Sequence, residues 1–150
     1  MKAKTHFLLV EDNPNDILLL RTAFQDTVDS ILQVVEDGEQ AVAYLTGQAP
    51  YTKREQYPLP QVILLDLKMP RLSGFEFLHW LRSEAPDSLR LLPVIIMSSS
   101  NLPEDINRAY ALGVNTYMVK PVDWALLRQR LSALNSYWGV HAETPTLSQQ

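Results

Sequence analysis

Hydrophobic positions along the chain follow two alternating rhythms. Short, nearly unbroken apolar runs at Thr5–Val10, Ile31–Glu36, Gln61–Asp66, Pro93–Ser98 and Thr116–Val119 read as strands buried on both faces. Between them, apolar residues recur three or four positions apart, the spacing of one helix face. Five strand units alternating with five helical units predict an α/β fold around a parallel sheet, because parallel neighbours need a crossover that a helix supplies. The punctuation agrees with this division. Asn13-Pro14 suits the cap and first position of the first helix, Asp37-Gly38 opens the second, and Gly47 suits its C-terminal cap. Ser73-Gly74 opens the third helix, which Pro86 ends; Pro103 to Gly113 reads as the fourth, and Asp123 caps a fifth running to about Tyr137. The expectation is one domain over 1–150, with a core at about 5–137 and a C-terminal tail at about 138–150. The connection Gln48–Pro60 is longer than a compact α/β turn needs. With Tyr51, Tyr57, Pro50, Pro58 and Pro60 it fits either a special surface or a tolerated insertion.

Composition adds mainly exclusions. A chain of 150 residues with 46% hydrophobic content suits a single globular domain with a substantial core. The absence of cysteine rules out disulfides and thiolate metal sites. No apolar run reaches membrane-spanning length and no secretory leader pattern opens the chain, so the cytoplasm is the expected compartment. With 13 Lys+Arg against 17 Asp+Glu, a formal charge of −4 and no basic cluster, neither nucleic acid nor a membrane surface is an expected partner. His6, His79 and His141 show no metal-ligand spacing.

Candidate chemistry sits where strands end. Glu11 and Asp12 close the first apolar run and Asp66 closes the third, and a carboxylate beside an apolar core is costly unless something neutralises it. In an open doubly wound sheet the ligand crevice lies beyond the carboxyl ends of the strands, where the strand order reverses. A first strand flanked by the second and third brings Glu11, Asp12 and Asp66 together there. Mg²⁺ accepts a few carboxylates and keeps waters for phosphate oxygens, so these acids with the backbone carbonyl of Lys68 form an apt set. Ser98 closes the fourth strand and Lys120 the fifth. A carboxylate nucleophile accepting a phosphoryl group needs a metal, an ammonium and a hydroxyl donor to offset the charge; Asp66 fits the nucleophile, Lys120 the ammonium and Ser98 the hydroxyl. Within Ser98-Ser99-Ser100, Ser98 is chosen because it directly follows the apolar run. Lys120-Pro121 is read as a cis bond aiming the lysine back over the strand ends. Each element also has a plain reading on its own: a helix cap at Asp12-Asn13-Pro14, a solvated Asp66, a surface Lys120, a half-buried strand tyrosine at 117.

Jointly, Glu11-Asp12, Asp66 within Asp-Leu-Lys-Met-Pro-Arg-Leu-Ser-Gly, Ser98 and Lys120-Pro121 resemble the receiver domain of two-component response regulators, over roughly residues 5–137. The resemblance implies a flavodoxin-like, doubly wound, five-stranded parallel sheet of strand order 2-1-3-4-5. It implies a phosphoacceptor at Asp66, Mg²⁺ held by Glu11, Asp12, Asp66 and the Lys68 carbonyl, phosphoryl contacts from Ser98 and Lys120, and a switch aromatic at Tyr117. The donor would be a sensor histidine kinase, and the chain's own chemistry would be limited to phosphotransfer and autodephosphorylation. The start Asn13-Pro14-Asn15-Asp16, the Gln48–Pro60 insertion and Ser98-Ser99-Ser100 are further similar to stand-alone cyanobacterial regulators associated with phytochromes. That likeness implies a phytochrome-type kinase and no output domain. Two departures stand out: serine in place of the commoner threonine at 98, and a second cation, Lys68, near the site.

Rival classes remain at this level. An aspartate-nucleophile phosphatase would use similar chemistry, but resembles Asp-x-Asp where this chain has Asp66-Leu67-Lys68. A flavin module would meet an acidic loop after the first strand, and a constitutive scaffold would not respond to phosphorylation at all. In the fifth helix, Trp124, Leu127, Leu131, Leu134 and Trp138 make one apolar stripe, and Leu126, Ala133 and Tyr137 a second. A second stripe predicts a homodimer through the fourth helix, fifth strand and fifth helix, the alternative being one wide intramolecular stripe.

Overall fold

A computed structural model describes residues 4–25 and 30–147. The elements are β1 (Thr5–Val10), α1 (Pro14–Gln25), β2 (Ser30–Val35), α2 (Gly38–Thr46), β3 (Val62–Leu65), α3 (Gly74–Ser83), β4 (Val94–Ser98), α4 (Pro103–Ala111), β5 (Thr116–Val119) and α5 (Trp124–Ser136). The five strands form one parallel sheet of order β2-β1-β3-β4-β5, the expected arrangement.

Alternate strand residues serve two separate cores, which is why the strands read as apolar runs rather than as alternating patterns. Leu8, Val10, Ile63, Leu65, Val94 and Ile96 face α2, α3 and α4, meeting Tyr44, Leu45, Phe77, Leu78 and Ala109. Phe7, Leu9, Val62, Leu64, Ile95 and Met97 face α1 and α5, meeting Leu20, Phe24, Leu127, Leu131 and Leu134. At about 1.5–3 kcal/mol for each fully buried large side chain, these two layers supply the main favourable term in folding.

Local signals set the helix starts. Asn13 Oδ1 accepts from the backbone N–H groups of Asn15 and Asp16 at α1. Asp37 accepts from Gln40 N at α2, Ser73 and Glu76 form a reciprocal capping box at α3, and Asp123 accepts from Ala125 N at α5. Gly47 ends α2 in the left-handed region at φ 71°, where a side chain would be strained.

Two expectations change. The 48–60 connection, open between a special surface and a tolerated insertion, keeps an exposed outer side and turns its aromatic residues inward: Tyr51 and Tyr57 pack tilted or edge-on against buried Tyr44, and Arg54 donates to the carbonyls of Tyr44, Leu45 and Tyr57. It closes the C-terminal end of α2, whose last carbonyls lack helical partners. The chain beyond 137 also packs. Tyr137–His141 forms a π-helical turn, Trp138 joins the second core, the Gly139 carbonyl accepts from Thr5 Oγ1 at 3.1 Å, and Leu147 reaches the first core. Residues 148–150 of the expected tail lie outside the described residues. Finally, the cis bond among the described residues is Ala49–Pro50, not Lys120–Pro121. Lys120 N donates to Ser98 O at 2.7 Å, so the extended β5 pairing runs through Lys120 and no tight turn is needed there. No helix among the described residues is long and apolar enough to cross a membrane.

Candidate functional site

Neighbouring strands deliver the acids. β1 and β3 pair with Val10 opposite Leu65, so the next residues, Glu11 and Asp66, emerge side by side at the carboxyl edge of the sheet. The ladder extends one residue past each strand, with Glu11 N donating to Val35 O and Asp66 N to Val10 O, both at 3.0 Å. Asp12 follows at the start of the turn into α1. One oxygen from each of Glu11, Asp12 and Asp66 lies within 4.8 Å of the others, so the predicted three-acid group is assembled. Gly74 holds the loop after β3 against this edge: a Cβ there would meet Asp66 O at 2.2 Å and Leu67 Cα at 2.7 Å.

Lys120 arrives from the far edge of the sheet. Its ammonium donates to Glu11 Oε1 and, at 2.8 Å, to Asp16 Oδ2, and stands 3.9 Å from Asp66 Oδ1. Burial alone would lower its pKa, but the hydrogen bonds it gives to Asp16 and Glu11 outweigh that and raise it, so the group stays charged. Glu11 is nearly fully buried, and burial above all pushes its carboxyl up to about 7, the Asp66 charge adding and Lys120 opposing. Burial raises Asp66 as well, against the pull of Lys120. Crowded, partly desolvated acids surround the Lys120 ammonium and outnumber it, which is the setting a hard divalent cation relieves. A cleft of about 400 Å³ opens onto them, lined by Glu11, Asp12, Asp16, Asp66, Lys68 and Lys120 among others.

The hydroxyl-bearing residues sit one step away. Ser98 is buried and its Oγ accepts from Ser100 N at 3.1 Å, whereas Ser99 lines the cleft itself. Ser100 Oγ donates to Asp105 on α4, and Tyr117 Oη donates to the Ser100 carbonyl at 2.8 Å. The Tyr117 N–H in turn donates to the Tyr110 hydroxyl at 3.2 Å. Hydrogen bonds thus link Ser98 through Ser100 to α4 and, through Tyr117, to β5. Sequence reasoning gave Asp16 no role. The available signal was an acid in the first turn of the helix that leaves the acidic strand end, a turn whose side chains lie beside the crevice.

The family model for the response regulator receiver domain matches residues 7–132. Response regulator Rcp1 of Synechocystis sp. is 35% identical over 141 residues, spanning 93% of this chain and 90% of that one. The crystal structure of the phosphorylated cyanobacterial phytochrome response regulator RcpA superposes with a TM-score of 0.88 at 32% identity, covering 96% of this chain and 100% of that one. The Mn²⁺-bound form of response regulator Rcp1 gives 0.84 at 30% identity, with 95% and 99% covered.

Proposed function

The chain belongs to the response regulator receiver family, and from that premise we propose that it is a Mg²⁺-dependent phosphoacceptor whose acceptor is Asp66. The observation carrying the reading is the meeting of three carboxylates within 4.8 Å of one another, with the Lys120 ammonium 3.9 Å from Asp66. An Asp66 oxygen attacks the phosphorus of a phosphohistidine on a sensor histidine kinase. The new O–P bond forms as the P–N bond breaks, and the imidazole leaves with the electron pair. Mg²⁺, when bound by Glu11, Asp12, Asp66 and the Lys68 carbonyl, supplies charge neutralisation for the transferred oxygens. The donor set fits it: all oxygen, crowded, and partly desolvated. Lys120 neutralises the same oxygens from the other side, and the Ser98 hydroxyl hydrogen-bonds one of them.

Once Ser98 turns to the phosphoryl group, its bond to Ser100 N is released. The Ser100 carbonyl and Tyr117 then shift with the loop, so that α4 and β5 report the event. The kinase is of phytochrome type in this reading, which rests on the likeness to Rcp1 and RcpA. The compartment is the cytoplasm, and the chain acts as one receiver domain without turnover of free phosphoesters. The homodimer through α4, β5 and α5 draws support from Tyr110, Leu126 and Tyr137, which stay exposed, and from β5, a half-buried edge strand. Treatment with acetyl phosphate and Mg²⁺ adds one phosphoryl mass to the wild type and none to Asp66→Asn. Equal labelling of both defeats the assignment.

A further inference from the structure

The Lys120 ammonium has three N–H groups, and two are taken by acids: Glu11, and Asp16 at 2.8 Å. Asp66, the residue it would have to serve, is 3.9 Å away, beyond hydrogen-bond reach. Asp16 does not belong to the group of acids whose oxygens converge, which is Glu11, Asp12 and Asp66. Its charge is therefore directed at the lysine. Its position is built in: Asp16 lies in the first turn of α1, and its own backbone N–H donates to the capping oxygen of Asn13 at 3.1 Å. The lysine side chain is only 16% exposed, so water cannot readily replace either acid.

We propose that Asp16 is a positioning residue that holds the Lys120 ammonium back from Asp66, so that phosphoryl acceptance requires Lys120 to exchange the Asp16 carboxylate for a phosphoryl oxygen. The inference rests on the phosphoacceptor reading of Asp66 and adds to it a residue that sets the rate. Two effects act in the same direction. The Asp16 carboxylate competes for the lysine's N–H groups, and its negative charge opposes the approach of an anionic phosphodonor to the cleft it lines. For a cation the sign reverses. Removing Asp16 subtracts an attractive charge and leaves Lys120 free to settle on Glu11 and Asp66, so metal binding weakens.

The reaction followed is the attack of an Asp66 oxygen on acetyl phosphate, in which an O–P bond forms, the donor's P–O bond breaks, and acetate departs with the electron pair. Asp16→Asn preserves shape and removes charge at a side chain one-third exposed, so the fold is not at stake; Asp16→Ala and a thermal melt control for that. At saturating Mg²⁺, the second-order rate constant for labelling rises about threefold in Asp16→Asn and Asp16→Ala, the scale of one partly exposed charge pair. The gain shrinks with added salt. Calorimetry without phosphodonor shows the Mg²⁺ Kd weakened by about the same factor. Asp16→Glu, which keeps the charge, stays close to wild type in both measurements. A general structural disturbance would instead slow all three variants and would not separate Asn from Glu. Labelling of Asp16→Asn at or below the wild-type rate, with the wild type itself labelled at Asp66, overturns the role of Asp16 alone. A wild type that is not labelled at Asp66 overturns the phosphoacceptor reading and this one with it.

Discussion

The raised pKa of Glu11 makes metal binding a proton-exchange reaction. Glu11 is 1% exposed, and burial together with the neighbouring Asp66 charge pushes its carboxyl from 4.5 up to about 7. A divalent cation binds the ionised carboxylate, so below about pH 7 the metal must first displace a proton. With one group of that pKa, the apparent Mg²⁺ Kd at about pH 6 exceeds that at about pH 8 by about tenfold, and it levels off above that. Lys120, held charged by Asp16 and Glu11, does not titrate in this window. Isothermal titration calorimetry in buffers of different ionisation enthalpy measures both Kd and the protons released, about one per ion near pH 6 and almost none near pH 8. Glu11→Gln should bind more weakly and without this slope. The same shift fixes a stability trend in metal-free protein. The unfolded chain loses the Glu11 proton near 4.5 and the folded chain only near 7, so the folded state binds more protons between them. Stability present below about pH 4.5 is lost as pH rises through 7, by at most about 3 kcal/mol. A Kd independent of pH from about 6 to 8, or a slope undiminished in Glu11→Gln, would refute the reasoning.

Three further outcomes follow from the packing. Gly74→Ala places a methyl group 2.2 Å from Asp66 O and should cost about 2 kcal/mol or more in urea unfolding while slowing Asp66 labelling, because the loop carrying the acceptor must move. Arg54→Ala strips donors from the carbonyls of Tyr44, Leu45 and Tyr57; a loss of about 2 kcal/mol and new protease cleavage within residues 48–60 are expected, and unchanged resistance would count against the clamp. Asp37→Ala removes a buried cap of α2 and should cost about 1 kcal/mol, whereas Arg71→Ala, which breaks only the ion pair of a 64% exposed side chain with Asp37, should cost less than about 0.5 kcal/mol. Paired melting curves decide between cap and ion pair.

Much of the architecture is a one-dimensional property of this chain. The strands are buried on both faces, so every residue of Val62–Leu65 must be apolar and the run is visible without a partner. The helix starts are local too: Asp37, Ser73 and Asp123 each bond a backbone N–H two or three residues on, an arrangement that sequence spacing alone specifies. The acids at 11, 12 and 66 and the lysine at 120 could be read because charge at the end of an apolar run is costly enough to need a reason. What lay beyond reach was contact between distant segments. Lys120 meets Asp16 across 104 positions of sequence, and Gly139 meets Thr5 across 134. Arg54 turns the 48–60 connection inward by finding carbonyls whose only mark in the sequence is that a helix has just ended. Hydrophobic period and capping chemistry act over a few residues and are written in order along the chain. Which acid an ammonium chooses, how far it stands from Asp66, and how strongly burial lifts Glu11 depend on desolvation and distance in three dimensions, and those quantities come into being only when the sheet has closed.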